Sequence, residues 1–304
     1  GADFFVEGAS SVAKMLKVPS LIIGMTIVAM GTSLPETSVS IAASMNNQNT
    51  LAVSNVVGSN IFNLMVVLGI CAVISKLQVS RDVLKRDYPF SVLCAILLLV
   101  CGCIGMELGR IDGIVFLVIF VGFIVVLIKS AMDARKRGEI SEKEREMNEE
   151  MSEMKEQPVW KSIIYIVGGA IAIKYGGDWV VDSASTIATS FGISATLVGL
   201  TICSVGTSLP ELVTSIVAAR KNELDMAVGN VVGSNVFNIL MVLGVAATIS
   251  PITFLMENVI DIIVLLVFSL ITWVFCMTKK EIGKKEGIIM LVLYAIYLVY
   301  ICLR

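Results

Sequence analysis

The sequence predicts an all-α membrane protein: ten transmembrane helices arranged as two inverted-topology five-helix repeats, the first helix truncated at the N-terminus. Three observations predict it. Of the 304 residues, 56% are hydrophobic and only 16% are charged, with a mean hydropathy of +0.88, far from the balance of a soluble domain. The apolar residues gather into segments long enough to cross about 30 Å of hydrocarbon at ~1.5 Å per residue. The alternating strands of ~10 residues that a membrane barrel needs are absent. Finally, residues 1–75 align without a gap with residues 176–250, and close to half of the positions are identical.

Taken in order, the predicted spans are 1–16 (a stub), 18–45, 51–75, 88–107 and 111–130, then 159–190, 193–219, 226–250, 258–277 and 286–303. The first repeat is 1–130, a charged linker runs over 131–158, and the second repeat is 159–304. In the second copy an apolar stretch from Trp160 to Tyr175 precedes the aligned block, whereas the first copy begins at Gly1. The natural protein is therefore expected to have ~15–20 further residues upstream, completing the first helix. No cleavable signal pattern opens the chain.

An odd number of spans per copy forces opposite orientations, and the basic residues agree. Lys14 and Lys17, Lys76 to Arg86, Lys129 to Arg137, Arg220 and Lys221, and Lys279 to Lys285 all fall on one side, which identifies the cytoplasm. The opposite loops carry a single basic residue, Arg110. Corresponding loops swap character between the copies, as parallel copies would not. The linker, DARKRGEISEKEREMNEEMSEMKEQ, reads as a solvated cytoplasmic helix or tether, with Glu and Lys at helical spacings.

Composition excludes several kinds of chemistry. Histidine is absent, which removes imidazole metal ligands, Ser-His-Asp triads and His proton shuttles. Seven cysteines, at 71, 94, 101, 103, 203, 276 and 302, sit in or at the ends of apolar spans without paired spacing and read as packing residues. A net charge of −2 suggests no nucleic-acid partner, and no nucleophile-base pair or cofactor motif suggests an enzyme.

The chemistry lies in two doubled motifs. GTSLPE occurs at 31–36 and 206–211, inside otherwise apolar spans. Pro35 and Pro210 cannot donate to the preceding turn, so each helix is expected to break at Thr-Ser and restart with proline in its first turn. Broken backbone is tolerated in hydrocarbon only where it lines a cavity or binds something. Here freed carbonyls, two hydroxyls and a carboxylate fall within six residues. The second motif, NVVGSNIFN and NVVGSNVFN, brings Ser59, Asn60 and Asn63, and Ser234, Asn235 and Asn238, as a face of neutral oxygens turned toward Glu36 and Glu211. Every group offered is a hard oxygen donor. That inventory suits Ca²⁺, which accepts about six to eight oxygens in tolerant geometry, and Na⁺, and suits Mg²⁺ or Zn²⁺ poorly.

Structural readings compete for some of these residues. A buried Glu can serve to pair with a basic residue, yet no Lys or Arg lies in the core of the motif spans. Close helix packing explains Gly24 and Gly199 as well as an ion does. Asp3, Glu7, Asp178 and Asp182, also repeated acids, read as interfacial or structural. Two bare carboxylates near the bilayer centre are costly, so the site resists switching sides unless charged with Ca²⁺, Na⁺ or protons, which is the logic of an exchanger.

With GTSLPE and NVVGSN both doubled, the chain resembles the cation/calcium exchanger superfamily, and most of all its prokaryotic sodium/calcium antiporters. The resemblance covers everything but the linker. It implies a metal site of Glu36 and Glu211, with Thr32, Ser33, Thr207 and Ser208 giving hydroxyls or carbonyls, backbone oxygens from Ala29 and Ser204, and Ser59, Asn63, Ser234 and Asn238 completing it. Some relatives, notably K⁺-dependent ones, have Asp where Asn238 stands, so Asn in both halves argues for K⁺ independence. The expectation is an antiporter of the plasma membrane that exchanges Ca²⁺ for Na⁺ by alternating access, working as a monomer in the lipid bilayer, with those ions as cargo and no cofactor. An H⁺/Ca²⁺ antiporter of the same fold and, from another class, a cation channel remain open alternatives.

Overall fold

Chain segments that are apolar on every side have no use for a solvated face, and in this protein they wind into long helices stacked side by side. The structure, a computed structural model, describes residues 1–16, 18–45, 49–137, 158–190 and 204–303. Helix α1 is Ala2–Leu16; α2 (Ser20–Thr32) and α3 (Leu34–Met45) form one apolar span bent by 47° at Ser33. Helix α4 covers 49–74, with a wider π-helical turn at Asn63–Val67. Then follow strand β1 (Leu77–Gln78), α5 (Val83–Cys103), strand β2 (Glu107–Leu108) and α6 (Arg110–Arg137). The second half gives α7 (Val159–Ser190), α8 (Ser204–Thr207), α9 (Leu209–Arg220), α10 (Leu224–Ile249, with its own π turn at Asn238–Val242), β3 (Ile252–Thr253), α11 (Met256–Lys279), β4 (Glu281–Ile282) and α12 (Lys284–Leu303).

Among the described residues six helices are long and apolar enough to cross a membrane, or seven if the bent α2–α3 pair counts as one span. The expected span 193–219 and the linker fall partly outside the described residues, at 191–203 and 138–157. The expected 88–107 is displaced toward the N-terminus, to 83–103. Lys85, Arg86 and Asp87 are wound into a π turn at its start, where the Arg86 guanidinium bonds the Asp87 carboxylate at 2.7 Å. Its end comes early because Gly105 and Met106 adopt positive φ, 75° and 53°, which turns the chain into β2.

Helices α4 and α10 form the centre. Their spans are 78% buried inside the protein, against 22% for the α6 span and 17% for α12, whose outward faces are aliphatic. Helices α1 and α7 run antiparallel, Gly1 meeting Ile173 and Gly8 meeting Ser162 and Tyr165. Elsewhere the two halves trade partners. Helix α12 lies on the end of α4 through Gly69 and Gly287, and α6 lies on the end of α10 through Gly113 and Gly244. These four glycines let backbones touch: a Cβ on Gly287 would stand 2.6 Å from the Gly69 carbonyl oxygen, and one on Gly113 2.7 Å from that of Gly244.

Two short antiparallel pairings, which the hydrophobic pattern is too brief to announce, join the halves again: β1 with β4 and β2 with β3. Asp3, read as interfacial or structural, forms an exposed ion pair with the other half. Its carboxylate stands 3.5 Å from the Lys221 ammonium, which also donates to its carbonyl at 3.0 Å. The side chains of Asp178 and Asp182, and Gly199 and Cys203, lie outside what is described.

Candidate functional site

The breaks fall where the prolines require them. Helix α2 ends at Thr32, Ser33 is non-helical (φ −84°, ψ 14°), and α3 starts at Leu34 with Pro35 and Glu36 in its first turn. In the second half α8 ends at Thr207, Ser208 is non-helical (φ −92°, ψ 5°), and α9 starts with Pro210 and Glu211 in its first turn. A proline has no N–H for the carbonyl four residues back, so the Gly31 and Gly206 carbonyls lose their helical donors. Each carboxylate thus sits in the first turn of a short helix, just past the break.

Glu36 and Glu211 are both fully buried, and the halves cross to hold them. Ser33 donates to Glu211 Oε1 at 2.6 Å, and Ser208 donates to Glu36 Oε1 at 3.0 Å. From the central helices, Ser59 approaches Glu36 Oε1 at 3.4 Å and Ser234 approaches Glu211 Oε1 at 3.5 Å, both long for hydroxyl bonds. The other oxygen of each carboxylate, Oε2, has no hydrogen-bond partner, and no ion pair among the described residues reaches either acid.

One helical turn beyond the serines, on the same faces of α4 and α10, stand Asn63 and Asn238. Each opens its helix's π turn, and each leaves its amide oxygen buried without a partner. Four acceptors are thus unanswered, two from carboxylates and two from amides, paired between the repeats. Buried oxygens of this kind are costly unless a donor or a cation meets them.

The remaining predicted residues occupy an outer ring. Thr207 donates to Asn55 Oδ1 at 3.3 Å, and Asn55 Nδ2 donates to Ser40 at 3.3 Å. The mirror chain runs from Thr32 to Asn230 Oδ1 at 3.2 Å and from Asn230 Nδ2 to Ser215 at 2.9 Å. Asn55, Asn230, Ser40 and Ser215 escaped the sequence reading, although each is a polar identity repeated between the copies. Ala29 is less available than the resemblance implies. Its carbonyl accepts the Ser33 N–H at 3.1 Å and stands 3.3 Å from the Thr32 hydroxyl, so one of these must yield before it can hold an ion. Ser204 opens α8, and its side chain is outside the described set. Asn60 and Asn235 are not the free oxygens the motif suggests, since both ends of each amide are engaged.

A fold of long apolar helices around two broken ones, with acids at the breaks, defines a membrane ion carrier, and comparison with known proteins gives its family. The profile of the sodium/calcium exchanger protein family matches residues 1–129 and 161–303, so the chain belongs to that family. It is 36% identical over 296 residues to inner membrane protein YrbG of Escherichia coli, covering 95% of this chain and 88% of that one. It is 32% identical over 327 residues to sodium/calcium exchanger MaX1 of Methanosarcina acetivorans, covering 98% and 93%. Among solved structures it resembles the sodium-calcium exchanger NCX_Mj soaked with Na⁺ and Sr²⁺, with a TM-score of 0.83 and 32% identity over 98% of this chain and 93% of that one. The protein is accordingly a membrane antiporter of the calcium/sodium exchanger kind.

Proposed function

We propose that this chain exchanges Ca²⁺ for Na⁺ at one central site built from both halves. The observation that carries the reading is the set of four unpartnered buried acceptors: Glu36 Oε2, Glu211 Oε2, Asn63 Oδ1 and Asn238 Oδ1. No donor is offered to them, and all are hard oxygens. Two carboxylates cancel the charge of one Ca²⁺, which takes about six to eight oxygens. The hydroxyls of Ser33, Ser208, Ser59, Ser234, Thr32 and Thr207, with the Ala29 and Ser204 carbonyls, supply the remainder, and Na⁺ uses the same oxygens in other combinations. Solved structures of NCX_Mj with Na⁺, Ca²⁺ or Sr²⁺ at 31–32% identity support this assignment.

Coupling follows from electrostatics. Two ionised acids without counterions cost too much in a low-dielectric core to be carried past the point where the site is closed on both sides. The site therefore changes sides with Ca²⁺ or with Na⁺, and not bare. Ten helices in two inverted fives, residues 1–130 and 159–304, supply two equivalent rocking states, and the side rich in Lys and Arg, with the linker at 131–158, faces the cytoplasm of a cell whose plasma membrane holds the protein. The likeness to an inner membrane protein supports that location.

The test is ⁴⁵Ca²⁺ uptake by proteoliposomes with a Na⁺ gradient and a pH gradient imposed separately. Uptake driven by internal Na⁺ at equal pH is the expected result. Uptake that ignores Na⁺ and follows pH assigns H⁺/Ca²⁺ exchange instead, and ohmic currents far above carrier turnover assign a channel.

A further inference from the structure

The two asparagines that the ion assignment leaves over, Asn60 and Asn235, form a crossed bracket between the central helices. Asn60 Nδ2 donates to the Asn235 backbone carbonyl at 3.2 Å, and Asn235 Nδ2 donates to that of Asn60 at 3.4 Å. A backbone carbonyl can only accept. That requirement fixes which end of each amide is which. Asn60 must then turn Oδ1 the other way, where it receives Asn238 Nδ2 at 3.1 Å; Asn235 Oδ1 receives Asn63 Nδ2 at 3.2 Å. With their NH₂ groups held, Asn63 and Asn238 have only oxygens left to present, and those are the two amide acceptors without partners. Both bracket residues are buried, at 0% and 2% exposure.

We infer that Asn60 and Asn235 are positioning residues that make the cation site oxygen-only, each setting the amide of the opposite half: Asn60 sets Asn238, and Asn235 sets Asn63. An amide is otherwise indifferent to a half-turn about its last bond, and the flipped form points N–H dipoles at a cation. Because each bracket residue reaches across to the other repeat, the orientation of one half's ligand depends on the position of the other half. The bracket thus ties ligand geometry to the packing of α4 against α10. This inference rests on the proposed site, deepening it from a set of ligands to what aims them.

The experiment is a double-mutant cycle read by equilibrium ⁴⁵Ca²⁺ binding to purified protein in detergent, alongside Na⁺-driven uptake. Asn60→Leu, close in volume, frees the Asn238 amide and is expected to weaken Ca²⁺ binding roughly 10- to 100-fold, the usual loss when a group orienting a metal ligand is removed. Asn238→Asp supplies a ligand with oxygen at both ends, for which orientation no longer matters. In that background a carboxylate oxygen faces Asn60 Oδ1 with no proton between them, so Asn60→Leu is expected to leave affinity unchanged or to raise it, while in an Asn63→Asp background it keeps its full weakening effect. Asn235→Leu is expected to give the mirror pattern, rescued by Asn63→Asp alone.

A general structural role predicts instead equal losses in all backgrounds, and that result overturns the inference. Should Asn60→Leu fail to elute as a monodisperse species, Asn60→Asp keeps the acceptor for Asn238. It is then expected to bind Ca²⁺ at least as tightly as wild type, and weaker binding overturns the inference. Failure of the wild-type chain to bind Ca²⁺ at all would instead overturn the proposed function, so the two failures are distinct.

Discussion

Replacing Glu36 by Gln keeps volume and one amide oxygen while removing half of the site's negative charge. At a carboxylate–Ca²⁺ contact of about 2.4 Å, one unit charge facing a divalent ion is worth about 3.5 kcal/mol even at the dielectric constant of water, roughly 400-fold in affinity. Glu36 is fully buried, so screening is weaker than in water, and the cost of stripping water from ion and carboxylate offsets that gain, which keeps the loss at about this order. The ion-free protein responds in the opposite sense. Without a counterion, Glu36 and Glu211 are two acids buried together, and replacing one by an amide removes a buried charge and its repulsion with the other, a cost of at least about 1 kcal/mol. The Ser208 and Ser59 hydroxyls, at 3.0 and 3.4 Å, can rotate to accept from the new amide, so the substitution leaves no orphan donor. Glu36→Gln is therefore expected to melt at a higher temperature than wild type without Ca²⁺, to show no Ca²⁺-induced rise, and to take up no ⁴⁵Ca²⁺ against a Na⁺ gradient. A variant that melts lower in both conditions while still transporting would refute the reasoning.

Other outcomes follow from the same geometry. Ser33→Ala removes the 2.6 Å bond to Glu211, and Ser59→Ala only long contacts, to Glu36 at 3.4 Å and to Thr207 at 3.5 Å, so the first is expected to raise the apparent Michaelis constant for Ca²⁺ severalfold more than the second, measured by initial uptake rates. Pro35→Ala returns an N–H to the Gly31 carbonyl and lets α2 run into α3; uptake is expected to fall at least about tenfold in protein that still elutes as a single species. Gly287→Val drives a side chain into the Gly69 carbonyl, 2.6 Å from the position of a Cβ, and is expected to cost about 1–3 kcal/mol, seen as a lower melting temperature in detergent.

Much of this architecture was legible in the residues. GTSLPE announces its own break, because proline's missing N–H is a local fact that no tertiary contact can repair, and the structure interrupts the helix at Ser33 and Ser208 accordingly. The acids were equally plain, since a repeated Glu in an apolar run has few uses. What resisted reading was the division of labour among the asparagines. Asn60 and Asn63 differ by one turn on the same helix, and nothing local says that the first spends its amide on the opposite half while the second keeps its oxygen free. That distinction needs the crossing of α4 and α10, a long-range fact. The two-residue strands and the Gly69–Gly287 approach were hidden for the same reason. The start of α5 was misplaced because three charged residues, ordinarily a loop signal, are absorbed into a π turn by the Arg86–Asp87 pair.

The most direct measurement is the anomalous scattering of Sr²⁺, a Ca²⁺ substitute, in crystals of this protein. A dominant peak is predicted within bonding distance of both Glu36 and Glu211 and of the Asn63 and Asn238 amide oxygens, displaced when Na⁺ is raised. A peak bound by one acid alone, or none between the two halves, would contradict the claim that both repeats share a single site.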